Sequence, residues 1–171
     1  MLYYYYQDAK GEKFTMQKIC FDTSTVCSLF DNSTNTKEVV KLFDCFAEKL
    51  NSFQLFVSPI FSHEINFSPI ELIDKIADII ETYNIAKLPK SQKTDYLVEI
   101  YLKEKVLTFN HYFDLSHIAY ASIFSCDFFI TCDIAHIARK RTIQLVQKIN
   151  TEQNIFIPDI VTPSIFMEIQ K

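Results

Sequence analysis

Short apolar runs alternate along this chain with longer stretches of helical periodicity. The apolar runs have the length of β-strands and fall at residues 18–21, 53–57, 84–88, 128–131 and 155–161. Apolar residues recur every three or four positions in the intervening segments, at residues 25–31, 36–50, 70–83, 94–104 and 114–123. This alternation predicts an α/β fold with a central parallel sheet of four or five strands and helices on both faces.

Local signals mark the limits of several elements. Ser58 and Pro59 are residue types favoured at a helix N-cap and at the first helical position. Pro158 interrupts the last apolar run, which predicts a strand at an edge of the sheet. In the helix at 36–50, the predicted apolar stripe consists of Val39, Val40, Phe43, Phe46, Ala47 and Leu50.

Residues 17–171 contain no linker and no internal repeat, so they are predicted to form one domain. Residues 1–16 differ, because four consecutive tyrosines are followed by a polar stretch. Three interpretations of this N-terminal lead stay open: an extra β element, a disordered extension, or a misassigned translation start.

Four acidic residues follow predicted strands or lie near the start of predicted helices. Asp22 ends the first strand, and Glu64 lies less than two helical turns beyond the second. Asp114 opens a helix that is predicted to be amphipathic, and Asp133 follows the strand after that helix. Since the carboxyl ends of parallel strands border the ligand crevice of an open sheet, these side chains are expected to converge there. Four carboxylates disfavour full ionisation without a cation, and oxygen ligands favour Mg²⁺ or Mn²⁺ over zinc.

Composition narrows the classes of function. Gly11 is the single glycine, which excludes a glycine-rich phosphate loop and with it nucleotide-cofactor and NTPase functions. A formal charge of −4 predicts no broad basic face, so nucleic-acid binding would depend on local basic clusters. Two such clusters occur, Lys87, Lys90 and Lys93, and Arg139, Lys140 and Arg141. Solvated surface lysines are the favoured interpretation of the first cluster, whereas both interpretations of the second stay open.

Five cysteines form no C-x-x-C pair, and their odd number favours reduced thiols. Together with the lack of a secretory apolar segment, this pattern predicts a cytoplasmic location. No apolar run has the length of a membrane span, so no membrane association is predicted.

Three sequence motifs occur in a defined order. ICFDTST contains a strand that ends in Asp, LFVSPIFSHEI places a Glu after a second strand, and DLSHIAYASIFSCDFFITCD combines D-x-x-H-I-A with a strand and T-x-D. This order resembles that of the PIN-domain nucleases, and most of all the VapC-type toxins of bacterial toxin–antitoxin pairs. The tail HIARKRTIQLVQKINTEQNIFIPDIVTPSIFMEI is similar to the end of one bacterial subgroup, in which a helix, a strand and a T-P turn close the domain. The resemblance covers about residues 17–169.

The resemblance implies a metal-dependent endoribonuclease that hydrolyses RNA phosphodiester bonds as the toxin of a toxin–antitoxin pair. Its catalytic acids and ligands of Mg²⁺ or Mn²⁺ would be Asp22, Glu64, Asp114 and Asp133. The implied partners are RNA, a small cognate antitoxin and a second copy of the chain in a homodimer. Residues that would support the acids or contact RNA are Thr23, Ser24, His117, Thr131, His136 and Arg139. Many members of the subgroup have Trp-Asn where this chain has Cys132-Asp133, a change that keeps an oxygen ligand and adds charge.

Simpler roles compete with the catalytic ones. Asp22 alone would be read as a helix cap, Glu64 as a solvated helix residue, and His117 as a hydrogen-bonded core residue. Glu71 is a competitor for the role of Glu64. Asp127 precedes its strand, at the end opposite the crevice, and a turn or capping role is favoured for it.

The sequence lacks the motifs of two other classes of enzyme. A phosphatase of the haloacid dehalogenase type needs D-x-D-x-T, and the sequence Asp22-Thr23-Ser24-Thr25 lacks the second acid. A zinc protease needs H-E-x-x-H, and the His63-Glu64 pair lacks the second His. A non-catalytic PIN-like module that binds RNA or protein stays open as the alternative to a nuclease.

Overall fold

The computed structural model describes residues 5–7, 13–31, 35–49 and 51–171. Its strands are β1 (Tyr5–Gln7), β2 (Lys13–Thr15), β3 (Gln17–Phe21), β4 (Phe53–Val57), β5 (Ala86–Lys87), β6 (Phe128–Ile130) and β7 (Asp159–Val161). Its helices are α1 (Thr23–Cys27), α2 (Thr36–Glu48), α3 (Pro59–Ile65), α4 (Ile70–Thr82), α5 (Gln92–Lys103), α6 (Tyr112–Ile123), α7 (Lys140–Glu152) and α8 (Pro163–Ile169), with a 3₁₀ turn at Phe109–His111.

The central sheet has five strands, all parallel, in the order β5-β4-β3-β6-β7. This arrangement confirms the predicted α/β fold, and β7 lies at an edge as Pro158 predicted. The chain moves outward from β3 to β5 and then returns to β6 on the other side of β3. Ligands of open α/β sheets bind at the carboxyl ends of the strands where the order reverses in this way. That position lies between β3 and β6, next to Asp22.

Helices cover both faces of the sheet, as predicted. Ile19 and Phe21 of β3 pack in one cluster with residues of α2, α4 and α8, whereas Cys20 packs in a second cluster with residues of α5, α6 and α7. This division follows from the alternation of side chains along a strand. The Phe21 ring lies 5.8 Å, between centroids, from the rings of both Phe43 and Phe46, so aromatic contacts anchor α2 on the strand that carries the first acid.

The apolar face of α2 differs from the predicted stripe. Phe43 and Phe46 are buried as expected, but Val40 is 42% exposed and Ala47 is exposed as well. Leu42 and Cys45 occupy the buried face instead. The reason is that α2 packs against both the sheet and α8, so its buried face is centred one residue away from the stripe that hydropathy suggested. Leu50 lies outside the described residues.

Helix α6 is buried on all sides, so the prediction of an amphipathic helix was wrong. Its residues from Leu115 to Ser122 are all buried. The helix packs between α5 and β6, and its small residues Ala119 and Ala121 permit close approach to both. A fully enclosed helix holds the side chains at its N-terminal end rigidly, and that end carries Asp114 and His117.

The sequence left the structure of the N-terminal lead open and did not predict helix α8. In the N-terminal lead, β1 and β2 form a separate antiparallel pair with Tyr5 opposite Thr15, and residues 1–4 and 8–12 lie outside the described residues. The tail ends in helix α8 rather than in a simple T-P turn, with Thr162 as its N-cap and Pro163 as its first residue. The N-cap at Ser58 before α3 is confirmed, because its hydroxyl accepts a hydrogen bond from the Ile60 amide.

Candidate active site

Asp22 is a buried carboxylate at the end of β3, and only 3% of its surface is exposed. It caps α1, because Oδ1 accepts hydrogen bonds from the Thr25 amide (2.9 Å) and the Thr25 hydroxyl (2.6 Å). Oδ2 accepts from the hydroxyls of Ser24 (2.7 Å) and Thr131 (2.6 Å). The capping role is therefore confirmed, and it places Asp22 where the strand order reverses.

Thr131 connects the first acid to the last. The register pairs Phe21 with Ile130, so the residues that follow these two strand ends are neighbours. The Thr131 hydroxyl donates to Asp22 and accepts a hydrogen bond from the Asp133 amide at 3.0 Å. Asp133 in turn closes the loop after β6, since Oδ1 accepts from the amides of Ala135 (3.0 Å) and His136 (2.9 Å). Its other oxygen, Oδ2, lies 3.1 Å from Nδ1 of His136.

Glu64 is held by a buried chain of hydrogen bonds. Its Oε2 accepts from the Thr23 hydroxyl and from Nε2 of His117, which lies 2.9 Å away. Because a carboxylate only accepts, Nε2 carries the proton, and in the neutral ring Nδ1 then accepts from the Ser58 hydroxyl at 2.9 Å. His117 is 1% exposed, so its ring has little freedom to move. It is both a hydrogen-bonded core residue and the group that orients Glu64.

Asp114 lies in the first turn of α6, beside a pair of histidines that sequence reasoning did not connect with it. Its Oδ2 lies 2.8 Å from Nδ1 of His111, and the ring centroids of His111 and His136 are 4.2 Å apart. His111 stands three residues before Asp114, and this i,i+3 spacing was the sequence signal that was available for the contact. Because His111 bonds Asp114 and His136 bonds Asp133, the contact between the two histidine rings connects these two acids.

Burial and local hydrogen bonds shift the pKa values of Asp114 and Glu64 in opposite directions. Burial raises the pKa of Asp114, the charge of Asp133 raises it further, and the hydrogen bond from His111 only partly offsets both. Burial would also raise the pKa of Glu64, but the hydrogen bonds from His117 and Thr23 outweigh it and hold that pKa below its usual range. The hydrogen-bond partners therefore decide the direction at Glu64, whereas burial decides it at Asp114, where the charge of Asp133 adds a smaller effect.

The thiols of Cys27 and Cys132 also have raised pKa values. Burial, followed by the charge of Asp22, raises the pKa of both Cys27 and Cys132 to about 11. All five cysteines are free, in agreement with the prediction of unpaired thiols.

These contacts link the four acid-bearing segments at the carboxyl end of the sheet. The links run from Asp22 through Thr131 to Asp133, and from Glu64 to Thr23, the neighbour of Asp22. All four side chains offer only oxygen ligands, the kind that hard cations such as Mg²⁺ prefer. Within the described ranges, however, no three His, Cys, Asp or Glu side chains are already arranged around one ion position.

The remaining candidate residues lie either in contact with the acids or away from them. Ser24 contacts Asp22, but its own surface is exposed. Arg139 is exposed at the N-cap of α7, and in the described part of the chain no hydrogen bond or ion pair joins it to the acids. Glu71 lies exposed on α4. Asp127 has the capping role that was favoured, because its Oδ2 accepts from the Lys18 amide at 2.7 Å, at the opposite end of β3 from Asp22.

We expect Glu64→Gln and Asp114→Asn to affect stability differently. The folded pKa of Glu64 is depressed, so its contribution is present above the usual value of 4.5 and is lost as the pH falls through the folded pKa. The folded pKa of Asp114 is raised, so its contribution is complete below 3.8 and is lost as the pH rises through the folded pKa. At neutral pH in EDTA, Glu64→Gln should therefore lower the free energy of unfolding by about 1 kcal/mol, and Asp114→Asn should not lower it. Urea unfolding at neutral pH and near pH 4 measures both; equal losses at neutral pH would contradict the assignment.

No protein-family model matches this sequence, and a search of curated proteins finds no match. The likeness to PIN-domain nucleases therefore stays a prediction that rests on the motifs and their order. None of the helices in the described ranges is long and apolar enough to cross a membrane.

Proposed function

We propose that this chain is a metal-dependent endoribonuclease that hydrolyses RNA phosphodiester bonds and acts as the toxin of a toxin–antitoxin pair. The observation that supports the proposal most is the linkage of Asp22, Glu64, Asp114 and Asp133 at the point where the strand order reverses. Hydrogen bonds and the ring contact between His111 and His136 connect the segments that carry these acids, and the resemblance to PIN-domain nucleases names the same four residues.

The side chains suit this chemistry in different ways. Both hydrogen bonds to Glu64 reach Oε2, and the described part of the chain donates none to Oε1, so that oxygen is available to a ligand. Asp114 and Asp133 supply two negative charges whose proximity favours a bound cation. Asp22 is saturated by hydrogen bonds, and its hydroxyl donors Ser24 and Thr131 can rotate to release Oδ2. A bound Mg²⁺ or Mn²⁺ would neutralise phosphoryl charge and lower the pKa of an attacking water.

A non-catalytic RNA- or protein-binding module is the second candidate, and a specific observation favours it. Asp22 already accepts four hydrogen bonds from the protein, and no ready-made ion cage exists among the described residues. Such a module would bind RNA without cutting it.

Metal-dependent cleavage separates the two candidates. The purified chain should cut single-stranded RNA with Mg²⁺ or Mn²⁺, lose this activity in EDTA, and regain it when excess metal is restored. A time course on an end-labelled RNA of mixed sequence, followed on a denaturing gel, makes the measurement. RNA that stays intact under all metal conditions while binding normally would support the module and refute the nuclease.

Partners follow from the proposed toxin role. The crevice is negative, so a blocking antitoxin segment should carry an Arg or Lys that pairs with the carboxylates. Phe43 and Phe46 are core residues and Leu29 and Phe30 pack against that core, so these four side chains do not offer a docking patch for the antitoxin. Large exposed apolar side chains lie closer to the acids in sequence instead, namely Phe67, Ile70 and Ile134. A homodimer is also part of the proposal.

Expression of this chain alone should arrest growth of a bacterial host, and co-expression of a small neighbouring reading frame should restore it. The physical reason is that an uninhibited nuclease degrades cellular RNA, whereas a basic segment in the crevice excludes metal and substrate. Colony counts with and without the neighbour measure the effect, and Asp114→Asn provides the non-toxic control. Harmless expression combined with a failure to bind any such neighbour would remove the toxin role even if nuclease activity survived.

A further inference from the structure

An open cleft of about 590 Å³ lies beside the acid-bearing segments. It is formed where the loop after α5 and the 3₁₀ turn at Phe109–His111 meet the loop after β6 and the first turn of α7. Both His111 and His136 line this cleft, and each also bonds one of the acids, Asp114 or Asp133. The cleft therefore opens directly beside the last two carboxylates.

The lining combines positive charge with an exposed aromatic ring. Lys105 and Arg141 supply the charge, and none of the side chains that line the cleft is acidic, although the chain as a whole carries −4. Arg141 is positioned by the carbonyls of Val106 (3.4 Å) and Lys105 (3.2 Å), which use two of its guanidinium N–H groups and leave the others for a ligand. Phe109 contacts the Tyr112 ring, with 5.9 Å between centroids, but 74% of its surface is exposed to the cleft and solvent.

We propose that this cleft binds a nucleotide of single-stranded RNA that flanks the phosphate at the acids. Its base stacks on the Phe109 ring, and its phosphate is bound by Arg141 and Lys105. Sequence-tolerant binding of single strands requires this combination of an aromatic surface and a cationic track along the backbone. The inference rests on the proposed nuclease function. It adds the direction in which the bound RNA strand extends from the acids.

Charge distribution favours this path. The acids repel phosphate until a cation is bound, so an RNA substrate needs a nearby positive region that holds the strand in register. Lys105 and Arg141 provide that region on the side of Asp114 and Asp133, with the two histidines between them and the acids.

A second cleft of the same volume, about 590 Å³, provides a matched control. Lys93 and Tyr96 line it, and Tyr96 is 62% exposed, so it too offers a cation and an exposed ring. It lies at the Ile123 end of α6, about 16 Å along the helix from the Tyr112 end that faces the acids. The second cleft therefore matches the first in volume and in offering a cation beside an exposed ring, but it has one cation instead of two and lies away from the acids.

The test is binding of a fluorescein-labelled single-stranded oligoribonucleotide, measured by anisotropy in EDTA so that no metal-dependent cleavage occurs. Phe109→Ala should raise Kd about tenfold, the effect of removing one stacking partner, and Phe109→Tyr should restore binding. Arg141→Gln and Lys105→Gln should each weaken binding and reduce the slope of log K against log salt by about 0.7, whereas Phe109→Ala should leave the slope unchanged. Tyr96→Ala and Lys93→Gln should match the wild-type chain in both readouts.

The Phe109 pair keeps the test decisive, because an exposed ring can be removed without loss of core packing even if Arg141→Gln proves unstable. Unchanged Kd in Phe109→Ala and Lys105→Gln, or equal losses in Tyr96→Ala, would overturn the assignment of the cleft. A wild-type chain that binds no single-stranded RNA would overturn it as well. If Phe109→Ala cleaves RNA with a normal KM, the assignment of the cleft fails and the proposed nuclease function stands. If RNA binds in this cleft but is never cut, the assignment of the cleft stands and the nuclease function fails.

Discussion

Replacement of Asp114 by Asn is expected to lower the rate of metal-dependent RNA cleavage about a hundredfold or more, the scale of losing one preorganised electrostatic group. The carboxylate lies in the first turn of a helix whose residues from Leu115 to Ser122 are all buried, and the charge of Asp133 acts on it, so its loss should weaken the binding of a cation there. Asn keeps the size of the side chain and an acceptor for His111, so the fold should persist. Single-turnover cleavage at saturating Mg²⁺ measures the effect.

Asp127→Asn is the matched control, because Asp127 caps the opposite end of the sheet and an amide oxygen can still accept from the Lys18 amide. Its cleavage rate should stay within about twofold of the wild-type rate, a difference of less than 0.5 kcal/mol in activation free energy. Asp133→Asn should lie between the two, since Asn retains an oxygen ligand but loses charge. Equal loss of activity in well-folded Asp114→Asn and Asp127→Asn variants would show that the acids were assigned to the wrong end of the sheet.

Replacement of His117 by Phe is expected to lower both stability and cleavage. The ring is enclosed, so the substitution leaves the Ser58 hydroxyl and the Glu64 carboxylate without their shared partner, at a cost of about 2 to 4 kcal/mol in the free energy of unfolding. Glu64 then loses one of the two hydrogen bonds that fix Oε2, and cleavage should fall by at least about tenfold. Urea unfolding in EDTA and cleavage at a temperature where the variant stays folded give the two numbers.

Ser116→Ala provides the control for this substitution. Ser116 is buried beside His117 on the same helix, but among the described residues its hydroxyl bonds the Tyr112 carbonyl alone, so its loss should cost about 1 kcal/mol or less and leave cleavage unchanged. The double variant that combines His117→Phe with Glu64→Gln tests directly whether His117 acts through Glu64. If His117 acts through Glu64, the losses in activity should be less than additive, whereas full additivity would mean that His117 has only a structural role.

Much of the architecture was predictable because it depends on local signals. The apolar runs at 18–21 and 53–57 became strands β3 and β4, and Ser58 with Pro59 began α3 as their residue types indicated. The buried helix α6 was misjudged as amphipathic, since a window of sequence cannot reveal that α5 and the sheet enclose it on opposite sides. The face of α2 was misplaced by about one residue for the same reason: α8, which the sequence did not reveal, completes its surroundings.

The candidate site was likewise predictable only in part from local signals. Asp22, Glu64, Asp114 and Asp133 were selected from their positions relative to predicted strands and helices, because the carboxyl ends of parallel strands share one edge. The contacts that surround them were not predictable, since they join residues far apart in the chain. Thr23 could equally have been a capping hydroxyl, and only the structure shows that it bonds Glu64. Ser58 appeared to be a cap alone, but it also anchors His117.

By itself, the sequence determined most of the strands and helices between residues 17 and 161, that the sheet is parallel, and which carboxylates follow its strand ends, because these properties arise from periodicity and local backbone preference. The tertiary structure alone decided how those carboxylates are held. Register brings Thr131 beside Asp22, and packing of α6 against α3 brings His117 to Glu64. It also placed His111, His136 and Arg141 around one cleft. Hydrogen bonds act over about 3 Å, so which polar groups meet depends on how distant segments pack, a relation that no local pattern encodes.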